Sequence, residues 1–425
     1  MKKLFILLLS AFICTAAQAL TLEECLALAE ANYPLIKKYG LLEQSLSVSL
    51  SDVNKQWLPG VQINGQVNVQ NNVPSFPDAL QGILDQMGHK VEGLGHTQYK
   101  VGADIAQTIW DGGESKLKRA TAKARNAEAV AALDVQMYAL REKVQSLYFA
   151  ILLAQQQIEQ SQSSMGVLAD ILDKYRSMFA NGVVMQSDVD MVEAQYLSIN
   201  QQVVGAVGSA DTYRKLLGIY INRDIKEEKL ETPSAEMPAE LTSQRPELTL
   251  FDKKISLSRL LQKEADVLTM PRFSFFTQAY YGYPGYDYFQ SMMNRNLSFN
   301  IMAGVKATWT LSSFYHKKNT RLRQDIAIGD TEAERDLFLF NSRLATSGNL
   351  EEIRTQQKII EDDSRIVELR MRVRKAAESQ LANGIIDTPT LVAKVNDETQ
   401  ARLMSRYHDI RLLQTIYNLK NLLNR

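Results

Sequence analysis

The sequence has little of what marks several common classes of protein. Its 425 residues include two cysteines and four histidines, and 48 basic side chains balance 48 acidic ones. A nucleic-acid-binding protein usually carries a basic excess or stripe, so we expect no nucleic-acid partner. Only the N-terminus offers an apolar run that approaches the about 20 residues of a membrane-spanning helix. These features argue against a polytopic helical membrane protein.

The N-terminal residues 1–19 have the pattern of a secretory signal. Two lysines precede an apolar run over residues 4–13, and Ala-Gln-Ala at 17–19 supplies small residues for cleavage. Cleavage removes one cysteine and leaves Cys25, which permits no internal disulfide. The exported protein must therefore be stabilised by packing or by oligomerisation.

The rest of the chain is one pattern written twice. Pro34 and Pro59 recur as Pro246 and Pro271, and Ala-Asn-Gly at 180–182 recurs at 382–384. We predict a first structural repeat over 20–230 and a second over 231–425, with a proline-punctuated linker between them. The first repeat has predicted strands at about 61–71 and 98–110 and a long helix at about 115–180. The second has predicted strands at about 272–283 and 297–311 and a long helix at about 319–382.

The four predicted strands alternate strictly between apolar and polar residues. An ordinary soluble sheet with one face on a core would also alternate. These strands, however, are long enough for the about 9 to 11 residues of a tilted transmembrane strand, and aromatic residues cluster at their ends. We therefore predict a transmembrane barrel whose lumen is lined by Gln62, Asn64, Gln66, Asn68, Lys100, Asp104, Asn300 and Lys306. Four strands cannot close a barrel, so strands from several copies must be pooled.

The predicted helices are too long for the interior of a globular domain. At about 1.5 Å per residue, the two long helices reach roughly 99 and 96 Å. Shorter helices at about 21–57 and 187–218, and at about 246–268 and 389–423, would form the return paths. The fold class is thus mainly α with transmembrane β, a duplicated unit of helix, hairpin, long helix and return helix.

Several phrases are similar to those of a known family. They are Leu-Thr-Leu-Glu-Glu-Cys-Leu-Ala-Leu-Ala at 20–29 with Asn-Tyr-Pro at 32–34, Trp-Asp-Gly-Gly at 110–113, and a group comprising Tyr175, Arg176, Phe179, Asn181, Gly182, Ser187, Asp188, Val189 and Ala194. The second repeat has weaker echoes at 381–384 and 390–391. In order and spacing, over essentially the whole exported chain, these phrases resemble the TolC family of outer-membrane efflux proteins, the outer membrane factors.

The resemblance implies a homotrimer with a twelve-stranded barrel on a long periplasmic α-helical barrel, closed at its inner end by helical hairpins. It implies a passive exit duct in the outer membrane of a Gram-negative bacterium, serving a tripartite multidrug efflux pump or a type I secretion system. The implied partners are a periplasmic adaptor (membrane fusion protein), an inner-membrane transporter and outer-membrane lipid. No cofactor and no enzymatic activity are expected.

The resemblance also implies adaptor contact at the hairpin tips. The residues that match the family grouping are Arg176, Phe179, Gly182 and Ser187 in the first repeat and Gly384 in the second. Each has a structural alternative: positive φ at the glycines, an N-cap at Ser187, hairpin packing at Phe179 and an ion pair at Arg176. Ala377 and Pro389 replace the basic residue and the serine in the second repeat.

A gate at the tip is a further implication. Some relatives narrow the tip with rings of aspartate, which select cations. The matching positions are Thr390 and Ala393, while Asp387, Asp188 and Asp190 lie near enough to substitute. The candidate gate residues are therefore Asp188, Asp190, Asp387 and Thr390.

Two alternative functions stay open at the level of sequence. His89 and His96 in one strand-connecting loop, with Met292 and Met293 in the other, are compatible with a duct dedicated to metal-ion efflux. A barrel with enzymatic activity is less favoured, since the sequence has no Gly-x-Ser-x-Gly or His-Glu-x-x-His motif.

Overall fold

The computed structural model describes residues 19–89, 91 and 93–425, so the predicted signal sequence apart from Ala19 lies outside the described residues. The predicted mainly helical fold with four strands is confirmed. In chain order the elements are α1 (Leu22–Asn32), a 3-10 turn (Pro34–Ile36), α2 (Lys37–Lys55), β1 (Gly60–Val69), α3 (Asp78–Gln86), β2 (Thr97–Trp110), α4 (Glu114–Ala180), α5 (Gln186–Ile221), α6 (Pro246–Gln262), α7 (Glu264–Val267), β3 (Arg272–Tyr283), α8 (Tyr288–Met293), β4 (Ser298–Thr308), α9 (Ser313–Ala382) and α10 (Thr388–Leu423). In the described part of the chain, no helix combines the length and the apolarity that a membrane span requires.

The first helical segment is broken where one helix over 21–57 was expected. Thr21 caps α1 through a capping box with Glu24, and the helix ends at Asn32. Tyr33 is extended (φ −65°, ψ 132°) because a residue before proline is disfavoured in the helical region. The chain re-enters a helix only after the turn at Pro34–Ile36. Similarly, the expected helix at 246–268 is divided into α6 and α7.

The chain divides into two compact units, and each takes segments from both sequence repeats. The sheet unit comprises residues 40–130 and 250–334. The hairpin unit comprises the chain through Tyr39 together with residues 131–249 and 335–425.

The sheet unit contains one antiparallel sheet in the order β1-β2-β3-β4. In its register Gln62 lies opposite Asp104, Gly102 opposite Tyr280, and Tyr280 opposite Asn300. β4 ends at Thr308, three residues before the expected end at 311, and α9 begins at Ser313. Trp309 has left the strand ladder, and its indole Nε1 donates to the carbonyl oxygen of Thr269 at 3.0 Å.

The hairpin unit has a continuous apolar core around α1, α4 and α5. Tyr148 and Phe149 are fully buried there with Leu22, and Leu217 packs against them. The hydroxyl of Tyr148 donates to the carbonyl oxygen of Leu20 at 2.8 Å. Cys25 lies in the same core, where burial first, and nearby carboxylates second, raise the pKa of its thiol to about 12. The thiol is therefore an inert packing group.

A second core fills the ends of the helices near the Asn-Gly turns. α4, α5 and α10 each contribute to this core, to which α9 adds Ala377. The buried residues from the three main contributors include Leu168, Ile171, Leu172, Tyr175, Val189, Val192, Leu391 and Val395. The turn regions of both repeats thus share one apolar interior.

Candidate channel wall and hairpin tips

One face of the sheet is apolar and exposed. The side chain of Ile63 is 78% exposed, although a soluble sheet would bury such a row against a core. Exposed apolar residues on this face are Val61, Ile63, Val67, Val69, Val101, Ile105, Phe275, Tyr281, Phe299, Ile301 and Val305. An apolar face of this length is suited to contact with lipid hydrocarbon.

The opposite face carries all eight residues predicted to line a lumen. Gln62 pairs with Asp104 in the register, and Gln66 pairs with Lys100. Asn64 donates through its side-chain amide to the carboxylate of Asp104. On β4, Asn300 and Lys306 lie on this face opposite Tyr280 and Ser274. The remaining predicted residue, Asn68, accepts from Gln66 at 2.9 Å.

The polar face also carries tyrosine side chains, which were not among the residues predicted to line the lumen. Lys100 Nζ lies 5.5 Å from the ring centroid of Tyr280, within range of a cation–π contact. Tyr280 also forms an edge-to-face pair with Tyr286 at 5.2 Å between centroids. The alternation of β3 could have identified Tyr280, since it lies two residues after Gln278, which pairs with the predicted lumen residue Asp104.

The sheet has two open edges in the part of the chain that the structure describes. β1 pairs only with β2, and β4 pairs only with β3. Each edge strand therefore presents a row of backbone donors and acceptors on its outer side. Such rows attract further strands, and they cannot remain unpaired in hydrocarbon.

Both Asn-Gly turns have the same helix-ending geometry. Gly182 and Gly384 adopt φ of 72° and 69°. The N–H of Val183 donates to Met178 at 2.9 Å, and the N–H of Ile385 donates to Gln380 at 2.9 Å. These are the 6→1 hydrogen bonds of a Schellman motif, which needs a residue with left-handed backbone angles after the helix. The helix ends therefore account for the positive φ of both glycines. A Cβ at either position would contact no neighbouring atom.

The predicted adaptor-contact residues of the first repeat lie around the first turn. Phe179 is 44% exposed, so it does not simply close the hairpin core. Arg176 forms an ion pair with Glu193 of α5 at 3.4 Å, which is the structural alternative expected for it. Ser187 lies inside the first turn of α5, whose N-cap is Met185, so the alternative of Ser187 as N-cap is wrong. The turn instead uses Asp188, whose carboxylate accepts from Met185 N at 3.0 Å.

A chain of hydroxyl groups joins the helical hairpin α4–α5 to the helical hairpin α9–α10, close to their turns. The buried Tyr175 donates to Thr388 Oγ1 at 3.1 Å, and the Thr388 hydroxyl donates to the Asp188 carboxylate at 2.9 Å. The link therefore connects α4 and α5 with the start of α10. Burial raises the pKa of Tyr175, so its hydroxyl stays protonated as a donor. Thr388 was not singled out from the sequence, because its partners are about 200 positions away.

The other candidate gate residues have local partners. Asp190 accepts from Gln186 at 2.7 Å. Asp387 is the N-cap of α10 and accepts from the backbone and hydroxyl of Thr390. These hydrogen bonds, the side-chain one first, lower the pKa of the Asp387 carboxyl. Asp387 and Thr390 thus form one capping unit, whereas Asp188 alone among the four bonds to a second hairpin.

The described residues include no group of three or more His, Cys, Asp or Glu side chains that could hold a metal ion. His96, one of the loop histidines, has its Nδ1 2.8 Å from the backbone oxygen of Gln70.

Comparisons with known proteins agree with this geometry. Residues 26–217 match the family model described as outer membrane efflux protein. Comparison with curated protein sequences found no match.

Solved structures of outer-membrane channels share the fold. The outer-membrane channel OprN is 14% identical with a TM-score of 0.67, over 95% of this chain and 89% of that one. The Campylobacter jejuni CmeC outer membrane channel is 14% identical with a TM-score of 0.66, over 95% and 85%. CusC is 12% identical with a TM-score of 0.69, over 95% and 91%. The family match within the first repeat and the fold shared along the chain confirm its resemblance to the TolC family of outer-membrane efflux proteins.

Proposed function

We propose that three copies of this chain form a passive exit duct through the outer membrane of a Gram-negative bacterium, with a large periplasmic portion. The observation that carries the proposal is the sheet, which has an exposed apolar face, a polar face and two open edges. Three copies would pool twelve strands, and closure would satisfy the edge groups that hydrocarbon cannot. The family match supports the same role in efflux.

The hairpin tips would meet the periplasmic adaptor of a tripartite pump or type I secretion system. Exposed apolar side chains at the first turn support this assignment, because Phe179, Val183 and Met185 present a patch without a partner among the described residues. Ile385 is exposed at the second turn. An inner-membrane transporter would supply the energy, since the duct itself would only conduct.

The closed state would be held by the hydroxyl link between hairpins. The hydrogen bonds from the buried Tyr175 to Thr388 and from Thr388 to the half-buried Asp188 hold α10 against α4 and α5. Opening would require these bonds to break or exchange with water. Asp188 would then become free to face the lumen as a charged ring in the trimer.

The experiment is a planar-bilayer recording on the purified full-length protein. Chemical cross-linking determines its oligomeric size. Discrete conductance steps from a cross-linked trimer are expected, and the single chain should give none. A protein that forms trimers without conductance, or that conducts as a monomer, would contradict the proposal.

A further inference from the structure

All three tryptophans of the chain lie at the same end of the sheet, measured along the strands. Trp57 lies just before β1, Trp110 ends β2, and Trp309 follows β4. The antiparallel register brings these positions together, since Gly60 lies opposite Ala106 and Arg272 opposite Thr308. Tryptophan is enriched at the boundary between bilayer and water. At this end of the sheet the strands connect to the helices.

Trp57 lies beside the apolar face of the sheet. Gln107, which pairs with the exposed Phe275 on that face, donates to the carbonyl oxygen of Trp57 at 3.4 Å. The half-buried Trp57 side chain lines a shallow groove with Ser115 and Ala120 of α4. The groove therefore adjoins the surface suited to lipid.

Three cations line the same groove. Lys116, Arg119 and Lys123 are exposed and lie on one side of α4, at spacings of three and four residues. Within the residues that the structure describes, none of the three side chains has a hydrogen bond or an ion pair.

Three other cations near this end of the sheet are already paired. Lys118 and Arg272 contact Glu114 at 2.8 and 2.9 Å, and Lys317 contacts Asp266 at 2.9 Å. Glu114 and Lys118 are on the side of α4 away from the groove, because a helix turns about 100° per residue. The groove thus keeps three positive charges that form no ion pair with any described carboxylate of the sheet unit.

Along α4, the three cations span a length similar to, and somewhat greater than, the thickness of one headgroup layer. At about 1.5 Å per residue, Lys116 and Lys123 lie roughly 10 Å apart along α4. Each headgroup layer of a bilayer is about 5 to 8 Å thick. A helix that begins at the tryptophan boundary would therefore pass these cations through the layer that contains lipid phosphate.

We propose that Trp57, Lys116, Arg119 and Lys123 form a binding site for anionic phospholipid headgroups in the leaflet nearest the helices. Guanidinium and ammonium groups bind phosphate oxygens, and the indole ring anchors at the interface. The inference rests on the proposed function, because it requires the sheet to lie in a membrane. The bound lipid would fix the height of the sheet in the bilayer.

The test measures lipid binding to the full-length protein in neutral detergent micelles. Phosphatidylglycerol, phosphatidylcholine or inorganic phosphate is added, and bound lipid is counted by native mass spectrometry. The wild type should bind phosphatidylglycerol at least about tenfold more tightly than phosphatidylcholine, and millimolar phosphate should not displace it. The triple variant Lys116→Gln, Arg119→Gln, Lys123→Gln should lose this preference.

A matched triple variant serves as the control. Lys143→Gln, Lys358→Gln and Lys375→Gln remove three exposed cations from the hairpin unit and should leave the preference unchanged. If the first triple variant does not assemble, the single variants Lys123→Gln and Lys123→Arg replace it, and only Lys123→Gln should weaken binding.

Two outcomes overturn the inference: equal affinity of the wild type for both lipids, or an unchanged preference in the groove variant. Displacement by free phosphate would also contradict it, since the site would then be a general anion site. Failure of the proposed function is distinguishable, because it would appear as absent conductance whatever the lipid.

Discussion

Thr388 and Thr390 lie two residues apart at the start of α10 and have different partners. The Thr388 hydroxyl bridges Tyr175 and Asp188 on the other hairpin, while Thr390 contacts Asp387 in its own turn. One hydroxyl therefore belongs to a link between hairpins and the other to a helix cap. The same substitution at the two positions separates these roles.

We predict that Thr388→Val raises the frequency of open events in planar-bilayer recordings. Valine keeps the shape of threonine but removes both hydrogen bonds, each worth about 0.5 to 1.5 kcal/mol. Thr390→Val is the control and should leave the frequency close to wild type, because it removes only a local hydrogen bond to Asp387. Equal effects of the two variants would show that closure does not depend on the link.

Arg176 can act through its own charge or through its ion pair with Glu193. An exposed pair of this kind contributes only about 0.2 to 1 kcal/mol, so its loss should not unfold the hairpin. We predict that Arg176→Glu reduces co-purification of the adaptor after cross-linking in cells and leaves the trimer intact. The reason is that the charge offered to the adaptor is reversed.

The charge-swapped double variant decides between the two roles. Arg176→Glu with Glu193→Arg restores the attraction within the hairpin but not the original arrangement of charge. Adaptor recovery should stay low in the double variant. Full recovery would assign Arg176 to a purely structural role.

At the scale of elements, β4 separates its two faces residue by residue. Ile301 lies on the exposed apolar face, and the adjacent Met302 contributes to the polar, concave face with Gln278 and Tyr280. Both side chains are more than a third exposed in the single chain, so burial alone does not distinguish them. A charged substitution would distinguish the two positions, because only one of the two faces would contact lipid.

We predict that Ile301→Lys lowers the free energy of unfolding from vesicles by about 2 to 4 kcal/mol, the cost of lysine near the middle of a bilayer. Met302→Lys should cost much less, since a lumen is wet. The measurement is equilibrium urea unfolding in vesicles, followed by tryptophan fluorescence. Similar losses in both variants would contradict the assignment of the faces.

The sequence predicted the long elements well and the short ones poorly. Strict alternation located all four strands, and the Asn-Gly turns located the ends of α4 and α9. The helices α3 and α8 were missed, because 9 and 6 residues carry too little periodicity to stand out in a loop. The hydroxyl link could not be predicted, since it depends on side chains brought together by tertiary packing.

At the scale of the molecule, the sequence repeat and the spatial division do not coincide. Both the sheet unit and the hairpin unit take chain from each repeat. The core near the turns, for example, packs Leu168 and Val192 of the first repeat with Leu391 of the second. The predicted repeats therefore describe a pattern in the sequence, while the buried cores take residues from both of them. Assembly beyond the chain had to be inferred from open edges and from the resemblance.

The contact between Leu20 and the linker also sets an order of events in time. Leu20 forms a parallel bridge with Leu230, 210 positions later in the chain. Its N–H donates to Lys229, and its carbonyl accepts from Glu231. At about 5 to 20 residues per second, synthesis needs roughly 10 to 40 s to supply these partners. The first residues that the structure describes therefore cannot complete this contact until the middle of the sequence has been made.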